Sequence, residues 1–372
     1  MVSKTKARQR DKARRNTRMR FEQWAQNPVC EANTISAVRN VRMVDVAKAE
    51  KITPTFGQSP FALIRGERFE KFLFYREAAV LLKELVEKEV LPPSAGGFID
   101  FRLKMNGGTR VPSLDRALEE TQRFLEKVAK ANTPRKRKTL PSIVAGAAVR
   151  IPRGVMLPEA ILILDAMAVR VDGERPELVV GEVKTYPDRG GHTGAHELAV
   201  ARAQAGIYVH ALDVVCEGLG LVDRIDVART GFLVLTRPGS NRPSVRPDED
   251  LRYQAERARR GFELLEAAAQ RLPKEVWALP DVEPPQDLID AITGAEVAYS
   301  EACLSFCDRA PGCHRRAMDA GDPLILGQDV QRFLGTIDLH RAIELMDGAK
   351  PTTEAEADLL SRISDSERTA AT

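Results

Sequence analysis

The sequence has no long hydrophobic run, since no apolar stretch approaches the ~20 residues that a membrane-spanning helix needs. The basic start of the chain is not followed by an apolar stretch, so it does not resemble a secretory signal peptide. A phosphate-binding loop of the Walker type is also missing, which argues against a helicase motor in this chain. These absences predict a cytoplasmic protein that is neither embedded in a membrane nor secreted.

What is present fits a globular enzyme, with 43% hydrophobic and 29% charged residues in a chain of 372 residues. That length predicts one large domain or two ordinary ones. The net charge of +3 is uneven, because residues 1–20 hold nine Lys or Arg and one Asp and so carry +8. The remaining chain is therefore mildly acidic, at −5. A basic arm of this kind either binds nucleic-acid phosphates or is a solvated, disordered end.

Hydrophobic periodicity outlines a core in which helices and strands alternate. Helices are predicted from Gly66 to about Val86, at 114–130 and at 195–212, and strands at 97–103, 142–151, 160–171, 177–185 and 231–236. Residues 237–250 are rich in Pro, Asp and Arg and read as a linker or surface loop. Two further helices are predicted at 251–271 and 286–302.

A carboxylate–lysine set lies on two of these predicted strands. Asp165 interrupts an apolar strand, and Glu182 and Lys184 share one face of the next strand because they are two residues apart. Antiparallel pairing brings Asp165 beside them. Two carboxylates form a hard oxygen site for Mg²⁺ or Mn²⁺, and a neighbouring Lys stabilises charge on a phosphoryl oxygen. The set therefore indicates phosphodiester hydrolysis, although an isolated charged strand residue is more often simply solvated.

Three more side chains fit the same site. Gln204 and Tyr208 are four residues apart on the following helix, so they share one of its faces. Glu70, on the helix that starts near Gly66, adds a possible third carboxylate for the metal.

Cysteine is scarce, with five residues, but three of them are clustered at Cys303, Cys307 and Cys313. In a chain without an export signal, such a cluster indicates metal or redox chemistry more often than disulfides. A fourth ligand would complete a site for zinc or for an iron–sulfur cluster, and spacing alone does not separate the two. The candidates for the fourth ligand are Cys30, Cys216 and His314, and the apolar surroundings of Cys216 favour a structural role for it.

The motifs around Asp165 (LILD), Glu182 and Lys184 (GEVK), and Gln204 and Tyr208 (QAGIY) resemble those of PD-(D/E)XK nucleases of the RecB-like branch. The resemblance covers about residues 66–236. It implies an α/β, restriction-endonuclease-like core, in which a mixed sheet is flanked by helices. Glu70 stands where that branch usually has a His. The implied activity is Mg²⁺- or Mn²⁺-dependent cleavage of DNA with single-stranded ends or flaps, in DNA repair, recombination or antiviral defence.

Some RecB-like nucleases, including AddB-type and CRISPR adaptation nucleases, carry one Cys before the core and three after it. The layout of Cys30, Cys303, Cys307 and Cys313 is similar, which implies a 4Fe–4S cluster in a helical cap that joins the two ends of the chain. Here three residues separate the first two late cysteines, where the family usually has two.

The resulting organisation has four parts: a basic disordered tail (1–20), an N-terminal segment with Cys30 (21–65), a nuclease core with a helical insertion (66–240) and a helical C-terminal region (241–372). Two alternatives stay open, a catalytically silent nucleic-acid-binding protein and a scaffold subunit of a larger helicase or defence complex. His192 and His196 are weaker candidates for substrate contact, because histidines at such a turn are more often solvated. The basic run 135–138 is as readily a solvated loop as a contact with a phosphate backbone.

Overall fold

The structure, a computed structural model, describes residues 16–53, 60–101, 114–151, 155–280, 285–300 and 303–370, with the backbone alone at 60–63 and 365–370. Most of the predicted arm, residues 1–15, lies outside the described residues. The described part of that arm belongs to a helix that begins at Thr17, so the predicted disorder does not extend to residue 20. None of the described helices is long and apolar enough to cross a membrane.

The helices before the sheet are α1 (Thr17–Gln26), α2 (Glu31–Arg39), α3 (Met43–Ala49), α4 (Pro60–Leu73) and α5 (Tyr75–Glu87). Those among and just after the strands are α6 (Leu114–Ala129), α7 (Pro134–Arg137), α8 (Ala195–Gly218), α9 (Arg252–Gln270) and α10 (Lys274–Ala278). The last are α11 (Gln286–Gly294), α12 (Cys303–Phe306), α13 (Ala310–Ala320), α14 (Gln328–Leu334), α15 (Leu339–Met346) and α16 (Glu354–Ala370). A 3₁₀ turn spans Pro323–Leu326.

The strands are β1 (Phe98–Asp100), β2 (Ile143–Ala145), β3 (Ala148–Arg150), β4 (Ile161–Ile163), β5 (Ala166–Arg170), β6 (Glu177–Pro187), β7 (Asp226–Val227), β8 (Thr230–Thr236) and β9 (Pro243–Asp250). Seven of them form one mixed sheet in the order β1-β2-β5-β6-β8-β9, with β7 paired to β6. Strands β3 and β4 pair separately. This confirms a mixed α/β fold in which helices flank a mixed sheet.

Alternating side chains divide the sheet into two faces, as expected for a strand period of two. Phe232 and Val234 on β8 belong to the core cluster that includes residues of α4 and α5. Leu233 and Leu235 instead pack with Leu198 and other residues of α8. Helices therefore cover both faces, and α8 lies on the face opposite α4.

The chain forms two compact units, with residues 1–19 and 58–266 in unit 1 and residues 20–57 and 267–372 in unit 2. Unit 1 contains the whole mixed sheet. The described secondary structure of unit 2 is entirely helical, and the unit combines an early and a late segment of the chain.

Several predicted elements have different limits in the structure. The helix predicted from Gly66 is two helices, and α4 already begins at Pro60. The helix predicted at 195–212 continues as α8 to Gly218. The helix predicted at 286–302 ends at Gly294, and residues 301–302 lie outside the described part. Strand β1 confirms residues 98–100 of the strand predicted at 97–103, of which residues 102–103 lie outside the described part. The basic run near 135 forms the short helix α7.

The largest difference concerns residues 237–250, because the second half of this predicted loop is strand β9 and pairs antiparallel with β8. The two long strands predicted at 142–151 and 160–171 are each broken in the middle. Gly146 has a φ of +67°, where a glycine is favoured, and there the chain leaves β2 and continues as β3. The partner strand breaks opposite it, between β4 and β5.

Candidate active site and cysteine site

Asp165 lies at the break between β4 and β5 rather than inside a continuous strand, which corrects the prediction. Its position beside Glu182 follows from the register, because Ala166 pairs with Gly181 on the neighbouring antiparallel strand. The backbone N–H of Val183 donates to Asp165 Oδ2 at 3.2 Å, which fixes this carboxylate next to β6. Asp165 is half-buried at the strand break and forms a carboxylate pair with the buried Glu182.

Glycine is required just before Glu182. A Cβ at Gly181 would lie 2.2 Å from the ring of Phe232, which is fully buried. The absence of a side chain lets Phe232 pack directly against the backbone of β6, at the residue before the carboxylate.

Glu182 is completely buried, and cations contact it. Lys184 Nζ lies 2.6 Å from its Oε1, and Arg18 Nη1 lies 3.3 Å from the same oxygen. Burial raises the pKa of Glu182 from 4.5 to about 7, and the charge of Asp165 adds to this, while Lys184 and Arg18 oppose it. Within the described residues, Glu182 Oε2 is buried without a hydrogen-bond partner.

Helix α8 brings two predicted residues to the same face of the sheet as Glu182. Gln204 and Tyr208 are both buried, at 6% and 2% exposure. The Tyr208 hydroxyl accepts a hydrogen bond from Arg18 Nη1 at 2.9 Å. Burial, and secondarily the charge of Asp165, raises the pKa of Tyr208 well above its ordinary value, so the phenol stays protonated. Gln204 Oε1 is buried and has no hydrogen-bond partner among the described residues.

Arg18 is a site residue that sequence patterns do not reveal, because in the sequence it is one charge of the basic arm. Its contacts with Glu182 and Tyr208 join residues that are 164 and 190 positions apart. No local pattern distinguishes this arginine from the eight other basic residues of the first twenty. Only the tertiary structure identifies it as part of the site.

The oxygen atoms at this site suit a hard divalent cation. Among the described residues, no group of three or more His, Cys, Asp or Glu could by itself hold a metal ion. The backbone N–H of Val183 nevertheless holds the Asp165 carboxylate beside β6, next to Glu182, and the unpartnered amide oxygen of Gln204 is a second kind of oxygen donor on the same face of the sheet. Oxygen-only sets of this type are preferred by Mg²⁺ and Mn²⁺, so these residues fit the implied metal.

Glu70 is half-buried on α4, directly after the core residue Phe69. Phe69 and Val183 belong to one core cluster, on the face of the sheet opposite α8. The role of Glu70 as a metal ligand therefore stays a prediction, and the structure places its helix away from Gln204 and Tyr208.

The weaker candidates lie on the surface of unit 1. His192 and His196 are exposed at the turn between β6 and α8. In the basic run, Arg137 donates to the backbone carbonyls of Gly173 and Glu174, which gives that residue a structural task. Contact of these residues with a substrate stays a prediction.

In unit 2, four cysteines line one small cavity. They are Cys30 before α2, Cys303 in α12, Cys307 just after α12, and Cys313 in α13. The last three are buried and Cys30 is half-buried. Of the other candidates for a fourth ligand, Cys216 is buried in α8 and His314 is exposed.

Polar groups around this cavity point at the sulfur atoms. Cys303 Sγ is 3.2 Å from Asn27 Nδ2 and 3.4 Å from the backbone N–H of Ser300, which both donate to it. Burial raises the pKa of the Cys307 thiol to about 12, which the backbone N–H of Arg309 opposes. Burial also raises the pKa of Cys313 to about 11, and the Arg309 guanidinium opposes that shift. These donors oppose the effect of burial, which on balance still favours the neutral thiols. Because no group of three or more His, Cys, Asp or Glu in the described part of the chain could by itself hold a metal ion, ligation of an iron–sulfur cluster or zinc by these cysteines stays a prediction.

Comparison with known proteins adds little to this geometry. No family model matches the chain, and no curated protein matches it. Among solved structures, the crystal structure of SSO0001 matches 69% of this chain and 95% of its own chain, at 16% sequence identity and a TM-score of 0.21. A likeness this weak supports no conclusion about fold or function.

Proposed function

We propose that this protein is a Mg²⁺- or Mn²⁺-dependent deoxyribonuclease with a PD-(D/E)XK core of the RecB-like branch. The single observation that carries the proposal is the grouping of Asp165, Glu182 and Lys184 at the centre of a mixed sheet. Glu182 is a fully buried carboxylate with an ammonium on one oxygen and, among the described residues, no hydrogen-bond partner on the other. Such an arrangement is costly to fold, which is typical of a functional site.

Asp165 and Glu182 would hold the metal, and the amide oxygen of Gln204, which has no hydrogen-bond partner among the described residues, is a further candidate ligand. When bound, the metal ion would supply Lewis-acid stabilisation of the phosphodiester and lower the pKa of the attacking water. Lys184 is anchored at 2.6 Å to Glu182 Oε1, so its ammonium is held ready to stabilise negative charge on a phosphoryl oxygen. The protonated hydroxyl of Tyr208 orients the neighbouring polar groups.

The proposed substrate is DNA with single-stranded ends or flaps, as the resemblance implies, and the proposed setting is DNA repair, recombination or antiviral defence, with a helicase or another defence subunit as a partner. The site should tolerate no change of charge at its buried carboxylate. We expect Glu182→Gln and Lys184→Ala to lose at least about 100-fold in the rate of Mn²⁺-dependent cleavage of end-labelled single-stranded DNA, the size of effect that loss of one charge-stabilising group has. Circular dichroism should stay that of the wild type.

Glu177→Gln is the matched control, because Glu177 lies at the far end of the same strand, where Arg170 contacts it at 3.2 Å. That variant should cleave at a rate close to that of the wild type. Cleavage at the wild-type rate by Glu182→Gln would contradict the nuclease proposal. A wild type that binds DNA but never cuts it would favour a silent binding protein.

The cysteine site is proposed to hold a 4Fe–4S cluster with a structural task. Its ligands would be the four cysteines of the cavity, and N–H groups already face the sulfur atoms of Cys303 and Cys307. A cluster occupies volume between its ligands, which agrees with thiols arranged around a cavity. Because the ligands come from both ends of the chain, cluster binding would close a loop of about 270 residues and so stabilise unit 2.

Anaerobic purification tests this proposal directly. Cys30→Ser should lose iron and sulfide and should melt at a lower temperature, whereas the matched control Cys216→Ser, buried in α8, should keep both. A colourless wild type that contains one zinc ion would remove the iron–sulfur assignment. Full iron content in Cys30→Ser would remove Cys30 from the ligand set.

A further inference from the structure

Arg18 contacts the proposed metal site through its guanidinium. Its Nη1 lies 3.3 Å from Glu182 Oε1 and donates to the Tyr208 hydroxyl at 2.9 Å. The same Glu182 oxygen also accepts from Lys184. Glu182 therefore contacts two cations, and with Asp165 beside it the formal charges of these four side chains sum to zero.

Arg18 and Lys184 lie on different kinds of secondary-structure element. Lys184 lies on the same strand as Glu182, and its side chain is 16% exposed. Arg18 comes from α1, outside the sheet, and its side chain is 32% exposed. Because α1 is not part of the sheet, a movement of Arg18 away from Glu182 requires no change in the strands, although its hydrogen bond to Tyr208 must then break. The lysine is held by its own strand.

A divalent cation on Glu182 would lie close to this guanidinium. On the unpartnered Oε2 of Glu182 the ion would lie within about 8 Å of the guanidinium nitrogen, because a metal–oxygen bond of about 2.1 Å and the width of the carboxylate add to the contact of 3.3 Å. Charges of the same sign at that distance repel each other, and the repulsion is stronger next to a buried group than in water. The guanidinium and the metal therefore compete for Glu182.

We propose that Arg18 is a built-in competing cation, which neutralises Glu182 in the metal-free protein and whose charge opposes the binding of a divalent ion to this carboxylate. The inference rests on the proposed metal site. It gives Arg18 a positioning role, because it acts on the reaction only through the occupancy of Glu182. The consequence is a weaker affinity for the metal than the oxygen donors alone would provide.

Titration of the full-length protein with Mn²⁺, followed by electron paramagnetic resonance of the free ion, tests the proposal without any cleavage assay. Arg18→Gln should bind Mn²⁺ at least about fivefold more tightly than the wild type, a factor that repulsion across about 8 Å supplies even at the dielectric constant of water. Arg18→Lys keeps the charge but has a shorter reach, so its Kd should lie between the two. Arg65→Gln is the control, because Arg65 contacts Thr236 in the same unit.

The outcomes separate this inference from the proposed function. An unchanged or weaker Mn²⁺ affinity in Arg18→Gln, with cleavage still lost in Glu182→Gln, overturns the role of Arg18 alone. Equal Mn²⁺ binding by the wild type, Arg18→Gln and Glu182→Gln shows that the ion binds elsewhere and overturns both. If Arg18→Gln does not fold, Arg18→Lys decides, and a Kd equal to that of the wild type overturns the inference.

Discussion

Removal of the Glu50 carboxylate should destabilise unit 2 strongly, because it leaves a buried arginine without its counter-charge. Glu50 accepts two hydrogen bonds from Arg309, at 2.7 and 2.8 Å, and Arg309 is only 1% exposed. In Glu50→Ala, the guanidinium would stay buried without its counter-charge. Breaking a buried ion pair by loss of one partner costs about 3–5 kcal/mol. Arg309 keeps its bonds to the carbonyls of Ile292 and Thr293, so we expect about 3 kcal/mol.

Urea unfolding followed by tryptophan fluorescence measures this loss. Both tryptophans of the chain, Trp24 and Trp277, lie in unit 2, so their emission reports the unfolding of that unit. Asp45→Ala is the matched control, because it removes an exposed ion pair with Arg42 in the same unit. Such pairs contribute at most about 1 kcal/mol.

A second change separates the unpaired charge from simple loss of packing. If the unpaired charge of the buried guanidinium causes the loss of stability, Arg309→Met in the Glu50→Ala background should recover stability, because the charge is then absent. A loss in Glu50→Ala no larger than the ~1 kcal/mol of an exposed pair would refute the reasoning. A double variant less stable than Glu50→Ala would also refute it, and would assign the effect to the shape of the side chains.

Three separate features carry further predictions. Gly206→Ala should lower the melting temperature and slow cleavage, because its Cβ would lie 2.6 Å from the backbone of Gln254, whereas Gly218→Ala, in open space on the same helix, should not. Burial lowers the pKa of His210 from 6.5, so the unfolded chain binds a proton at this residue more readily than the folded chain does. Acidification below pH 6.5 should therefore destabilise the wild type and lower its urea midpoint. In His210→Gln the same acidification should lower the urea midpoint less. Deletion of residues 1–15, which carry a net charge of +6, should flatten the slope of log DNA affinity against log salt.

Local patterns predict the centre of the sheet well. Strand β6 extends from Glu177 as predicted and continues only two residues further than expected, because its apolar residues are buried on both faces. The shared face of Glu182 and Lys184 follows from strand geometry, and the 2.6 Å contact between them confirms that the two side chains meet. The shared helix face of Gln204 and Tyr208 is also predictable, because residues four positions apart lie on the same side of a helix.

Strand β9 is not predictable in this way, because its composition contradicts its structure. The sequence from Pro243 to Asp250 partly alternates buried and more exposed residues, but Pro, Asp and Arg hide that period. It lies at the end of the strand order and pairs with β8 on one side, a place where charged residues and proline are tolerated. Pairing with a strand already in place, and not the propensity of the segment, decides its conformation.

The contacts of Arg18 are beyond any local pattern. A charge at position 18 has the same sequence neighbourhood as the other basic residues near it, and only the folded chain brings it to Glu182. The same holds for Glu50 and Arg309, which are 259 positions apart. Periodicity predicts which face of an element is buried, but it does not predict which buried charges meet.

Unit 2 consists of two segments that are far apart in the sequence, and this affects when it can fold during synthesis. Residues 20–57 leave the ribosome early, but the rest of their unit begins only at residue 267. At about 5–20 residues per second, synthesis from Cys30 to Cys303 takes about 14 to 55 s. During that time Trp24, Ile35 and Val38, which are buried in the finished unit, have none of their late partners. Residues 20–57 therefore complete their packing only after residues 267–372 have been synthesised.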